Sequence, residues 1–141
     1  MDGMNQEPIS TETRTQLSRV RHALLKLHKA LLDDARVEFE RARGRIESSG
    51  QFLQLVLNDE WFAYLRPLSA LVVQIDELLD AEEATEREAD ALVAQSRAML
   101  RPDAGGPEGL GKKYRAALQR SPDVVLAHGE VAKLFGGPKS V

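Results

Sequence analysis

The sequence predicts an all-α fold: an antiparallel helical bundle with one very long N-terminal helix and a C-terminal helical pair. Three observations predict it. Apolar residues recur every 3.6 residues through two long stretches, which is the period of one face of an α-helix. No segment shows a convincing strand pattern, and no internal repeat is present. A segment rich in glycine and proline at 102–111 then separates the long stretches from two shorter helical ones.

The first stretch, 10–49, carries the clearest signal. Leu17, Val20, Leu24, Leu27, Leu31, Ala35, Phe39, Ala42 and Ile46 make eight steps over 29 residues. The spacing favours a straight helix over the 3.5-residue seam of a supercoil. Leu25 and Leu32 widen the stripe, as if two neighbours pack on it. Thr13 and Gln16 have the spacing of a capping box, and Gly50 after Ser48 and Ser49 is the expected stop. Such a helix is about 55 Å long, with Gly44 weakening its last turns by about 1 kcal/mol relative to alanine.

Residues 51–57 are apolar nearly all round, and Asn58 and Asp59 read as a cap. Trp61, Leu65, Leu68, Val72, Ile75 and Leu79 then advance 18 residues in five steps. Pro67 lies inside this run. Its missing donor and ring clash require a kink or a new start, and the preserved phase predicts a kinked continuous helix. The pattern fades into acidic residues after Ala81 and returns at Leu92, Val93, Ser96, Met99 and Leu100. Either the second helix runs on to Arg101 or a turn near 82–85 starts a third helix that folds back; the length of the continuous alternative favours the turn. Four glycines and two prolines in 102–111 predict a linker. Two helices follow, near 112–120 and 122–135, with Ser121 as cap and Pro122 at the first helical position. The expected organisation is a disordered tail at 1–9, a bundle core at 10–101, the linker, a C-terminal pair at 112–136 packed on the core, and a tail at 137–141.

Composition narrows the chemistry. The chain has 141 residues, 43% of them hydrophobic and 29% charged, with a net charge of −3. This length fits one domain with a useful core. The absence of cysteine removes disulfides, thiol nucleophiles and cysteine zinc sites. The first nine residues are polar and acidic, with no apolar signal region. Asp2 stands where myristoylation needs glycine. The greasiest stretch, Leu68 to Ile75, is too short to span a bilayer. The expectation is a cytoplasmic protein without a membrane part.

Candidate chemistries are weak against their bland alternatives. Residues 106–113 follow the phosphate-loop spacing G-x-x-x-x-G-K, but Lys113 replaces the magnesium-binding hydroxyl, Glu108 sits inside the cradle and no strand precedes it. The expected role is a plain linker. None of His22, His28 and His128 has a glutamate three residues before it, so the Glu-x-x-His pairs of di-metal bundles are missing. Asp76, Asp80 and Glu83 share a helix face beside the apolar stripe, which reads as a solvated or ion-paired edge. No Gly-x-Ser-x-Gly elbow exists. His128 with Glu130 is the weakest option, an enzyme with a histidine base. No cofactor or metal is expected.

Charge is unevenly placed. Residues 13–32 hold Arg14, Arg19, Arg21, Lys26 and Lys29 and no acid, while 50–101 hold ten acids and four bases. This predicts internal complementarity, with Arg19, Lys26 and Lys29 facing Asp76, Asp80 and Glu83 across an antiparallel pair or a subunit boundary. Exposed pairs of this kind set register more than they stabilise. The C-terminal pair has loosely the spacing of a helix-turn-helix, but its second helix carries Asp123 and Glu130 against Lys133. It makes a poor DNA reader, so nucleic acid is not an expected partner.

The most informative local feature is aromatic. Phe52, Trp61, Phe62 and Tyr64 are four of seven aromatic residues, within thirteen positions. Trp61 and Tyr64 lie about 300° apart on a helix, so the four cannot share one face. They are candidates for a core cap, for an interface hot spot or for an apolar pocket. The function expected is a non-enzymatic interaction or assembly module, self-associating through 52–65 and the first helix. The alternative is a bundle that binds a small molecule or cofactor near the aromatic cluster.

Overall fold

A computed structural model describes residues 7–101 and 110–135 of the chain. The architecture is all-helical, with α1 (Thr11–Arg43), α2 (Ser49–Asn58), a 3-10 helix (Glu60–Leu65), α3 (Arg66–Asp80), α4 (Glu86–Met99), α5 (Gly111–Arg120) and α6 (Pro122–Leu134). Of the sequence motifs, the linker residues 102–109 and the tail after Phe135 lie outside the described residues.

Helix α1 is the axis of the bundle. Its buried stripe is Leu17, Val20, Leu24, Leu27, Leu31, Ala35 and Phe39, with Ala23 beside it. Helix α6 packs along it most extensively and α3 next. Both run antiparallel to α1. Gln16 donates to the Leu134 carbonyl at 3.1 Å, while Lys26 meets Glu130 at 3.4 Å. On the other side Arg14 donates to the Leu79 carbonyl at 2.6 Å, and His28 meets Ser69 at 3.1 Å. The main core joins the α1 stripe between Leu17 and Leu31 to Leu68, Leu71, Val72 and Ile75 of α3, Ala89 and Met99 of α4, Tyr114 and Ala117 of α5, and Val124, Ala127 and Val131 of α6. Residues 10–101 therefore hold only part of it.

Several boundaries differ from the sequence expectation, each for a local reason. Helix α1 stops at Gly44, not at Gly50. Gly44 has φ 103, a conformation open to glycine and strained for other residues, and its N–H closes onto the Glu40 carbonyl. Ser48, read from sequence as part of a helix end, instead starts α2 by accepting from the Gln51 N–H at 3.1 Å. Ile46 keeps its buried place although it lies in the loop, because its N–H is anchored by the Glu40 carboxylate at 2.8 Å.

The run through Pro67 is not one kinked α-helix. Residues 60–65 wind as a 3-10 helix, and α3 begins at Arg66 with proline in its first turn, where no intrahelical donor is needed. In a 3-10 winding, side chains three apart eclipse. Phe62 and Leu65 therefore both point inward, in line with Leu68, and all three are buried. The 3.6-residue reading placed Trp61 on that stripe. Trp61 is in fact half-buried and Phe62 is its buried counterpart.

The turn near 82–85 is present. Thr85 caps α4 with Glu88 in a full capping box. The segment 7–9 is not a free tail. Ile9 donates to the Ala84 carbonyl, Glu86 donates to the Glu7 carbonyl, and Pro8 bridges Thr85. Ser10, not Thr13, is the cap of α1. With Ser10 as the cap, the third helical residue is Thr13, and the acceptor that a capping box would place there comes from another helix: Glu86 accepts from the Ser10 N–H at 2.8 Å and the Thr13 hydroxyl at 2.9 Å. These bonds hold the Glu86 carboxyl below its ordinary value of 4.5. A depressed folded-state value means stability that is present above the ordinary value and is lost as pH falls through the folded one. Denaturant titrations across pH should show wild type losing stability faster than Glu86→Gln below about pH 4.5. Parallel curves for the two proteins would show that the clip contributes nothing.

The charge register is partly as expected. Asp76 pairs with α1, but through Arg21. Lys26 reaches Glu130 of α6, and Lys29 pairs within α1 to Asp33 at 3.1 Å. Among the described residues, no ion pair joins Arg19, Asp80 or Glu83 to a partner helix. Asp80 and Glu83 are exposed. The best-formed pair was not foreseen: Arg120 of α5 grips Asp34 of α1 through two bonds of 2.9 and 2.7 Å.

Candidate functional site

The end of the bundle opposite Ser10 gathers the aromatic residues. Phe39 at the end of α1, Ile46 of the loop, Ala35 and Phe62 form a second small core. Phe62 stacks near Phe39 and Phe52, with ring centroids 5.8 Å apart in both pairs. Trp61 meets Phe39 edge to face at 5.7 Å, a preferred aromatic geometry. Its ring N–H donates to the Ala35 carbonyl at 3.0 Å. Asp59 caps the 3-10 helix by accepting from the Trp61 backbone N–H. Tyr64 packs between the two cores, and its hydroxyl is pushed up by burial and by the nearby Asp34 charge. The four aromatic candidates thus come together, but mainly to seal the chain's own interior.

Helix α2 covers this small core incompletely. Phe52, Leu55 and Val56 pack on it, yet no residue of α2 is buried. Leu53 and Leu57, four apart and so on one face, are 55% and 57% exposed. The ten residues of α2 carry no charge. Arg36 lies over the Phe52 ring at 4.7 Å, bordering the helix with a cation. Leu53 and Leu57 are the residues the sequence reading missed. The signal was there in the near-continuous apolar run 52–57, but it does not say which side of the helix the small core leaves open.

Beside Trp61 and Tyr64 lies a cleft of about 250 Å³, lined by Ala35, Glu38, Lys113, Ala116 and Arg120 besides the two rings. The ammonium of Lys113 sits 5.3 Å from the Trp61 centroid and 5.5 Å from that of Tyr64. It also donates to the Trp61 carbonyl at 3.0 Å. The residue at the aromatic surface is thus Lys113, which stands at the hydroxyl position of the phosphate-loop spacing, while the lysine of that spacing, Lys112, is exposed. The rest of that spacing, 106–109, lies outside the described residues. Gly111 has φ 76 and leads into α5.

The histidines stand elsewhere. His22 is exposed. His28 shares a hydrogen bond with Ser69, and burial lowers its pKa. Among the described residues no carboxylate orients that imidazole, as a nucleophile pair requires. His128 does not meet Glu130. Its Nδ1 is paired with the buried Tyr114 hydroxyl, burial lowers its pKa, and Glu130 is taken by Lys26. Among the described residues no group of three histidine or carboxylate side chains is placed to hold a metal, and no helix is long and apolar enough to cross a membrane. Comparison with known proteins leaves the geometry to stand alone: no family model, no curated protein and no solved structure matches this chain.

Proposed function

We propose that the chain is a non-enzymatic helical-bundle protein of the cytoplasm that works by self-association, with α2 as the contact surface. The observation that carries this reading is α2 itself: a helix with five large apolar residues, no charge and no buried position. A two-fold contact sets each surface patch against its own copy, so charges near the axis meet like charges. A helix without charge, with leucines one turn apart, suits such a contact.

Sedimentation equilibrium of wild type and of Leu53→Glu/Leu57→Glu tests it. The double variant should weaken association at least ~100-fold, given about 1.5–3 kcal/mol for full burial of each leucine. Its melting temperature should stay close to wild type, because both side chains already face solvent. Identical masses for the two proteins would count against α2 as the contact.

The cleft beside Trp61 and Tyr64 favours a second reading, a bundle that binds a small molecule. The two readings use different surfaces.

A further inference from the structure

We infer that the cleft between α1, the 3-10 helix and α5 binds a small aromatic carboxylate, with Lys113 receiving the anion. The inference deepens the small-molecule reading of this cleft and is independent of self-association through α2. Shape comes first. The methyl groups of Ala35 and Ala116 leave room where longer side chains would fill it, and Trp61 and Tyr64 supply flat walls. The space of about 250 Å³ is small for a ligand site, which limits the occupant to one ring with a short substituent.

Charge decides the substituent. Three ionised side chains line the cleft. Arg120 is neutralised by its two bonds to Asp34 and lies 3.7 Å from Glu38. Glu38 is in turn held by Arg41 at 3.0 Å. Lys113 differs: its only polar partner among the described residues is the Trp61 carbonyl. An ammonium has three donors, so two remain, on a cation that no carboxylate among the described residues pairs with. Its hold on the two ring faces places that charge at the aromatic wall. A ligand that stacks its ring in the cleft therefore brings a carboxylate within reach of Lys113.

The single tryptophan of the chain gives a direct reporter. The Trp61 indole N–H resonance of the full-length protein would be followed by NMR during titration with benzoate, benzyl alcohol and acetate. Benzoate should shift it saturably, with half-saturation below about 10 mM; benzyl alcohol and acetate should each bind at least ~10-fold more weakly. Lys113→Met should weaken benzoate at least ~10-fold while leaving benzyl alcohol unchanged, and Ala116→Leu should block both ring-bearing probes. Lys112→Met, on an exposed neighbour, is the control and should match wild type. Benzyl alcohol binding as well as benzoate would overturn the anion assignment while leaving the cleft as an apolar site. No saturable shift with any probe would overturn the small-molecule reading along with it.

Discussion

A chain ending at Arg101 is expected to lose cooperative unfolding altogether. The removed segment carries Tyr114, Ala117, Val124, Ala127 and Val131 of the main core. Full burial of one large apolar side chain is worth about 1.5–3 kcal/mol, so Tyr114, Val124 and Val131 together approach the lower part of the ~5–15 kcal/mol that holds a domain folded. The loss is doubled in kind, since α1 also loses the helix that packs along it most extensively. The clamp of Arg120 on Asp34 and the bond from Gln16 to Leu134 go as well. Sequence reading alone expects residues 10–101 to fold by themselves. The packing of α6 along α1 leads to the opposite prediction. A calorimetric scan of residues 1–101 should show no cooperative peak. A sharp transition within a few degrees of the full chain would mean that α5 and α6 are dispensable.

Phe62→Ala is expected to destabilise the protein by about 3–5 kcal/mol, the range for a fully buried phenylalanine. Phe62 has no exposed surface and touches both Phe39 and Phe52, so its loss opens the centre of the small core. Trp61→Ala should cost less, about 1–3 kcal/mol, because the larger ring is only partly buried, as is its bond to the Ala35 carbonyl. The 3.6-residue period ranks these two the other way, with Trp61 as the 3–5 kcal/mol position. Urea unfolding of both variants separates the two. A larger loss for Trp61→Ala would contradict the 3-10 winding of residues 60–65.

The main bundle was legible in the sequence because α1 and α3 each bury a single stripe, and a stripe is what hydrophobic period records. Leu17 to Phe39 and Leu68 to Ile75 sit inside as the spacing requires. The Ser121-Pro122 start of α6 was legible because its bond is local, from the Val124 N–H to the Ser121 hydroxyl. The misreadings have a common cause. At Trp61 and Phe62, a six-residue segment fits 3.0 and 3.6 residues per turn almost equally well. At Gly44 and Gly50, two glycines six apart compete as stops, and only the positive φ of Gly44 identifies the right one. The site was half legible. Phe52, Trp61, Phe62 and Tyr64 announced themselves by clustering in sequence. Lys113 did not, because it reaches Trp61 across 52 positions, and Glu86 caps Ser10 across 76. Such partners are chosen by tertiary packing, which leaves no periodic trace.

Self-association through α2 is the central claim, and the native mass spectrum of the purified full-length chain tests it most directly. A dominant species of two copies, returning to one copy in Leu53→Glu/Leu57→Glu, is the expected result. A spectrum holding only the single chain of 15.6 kDa at concentrations of about 10 μM and above would contradict it.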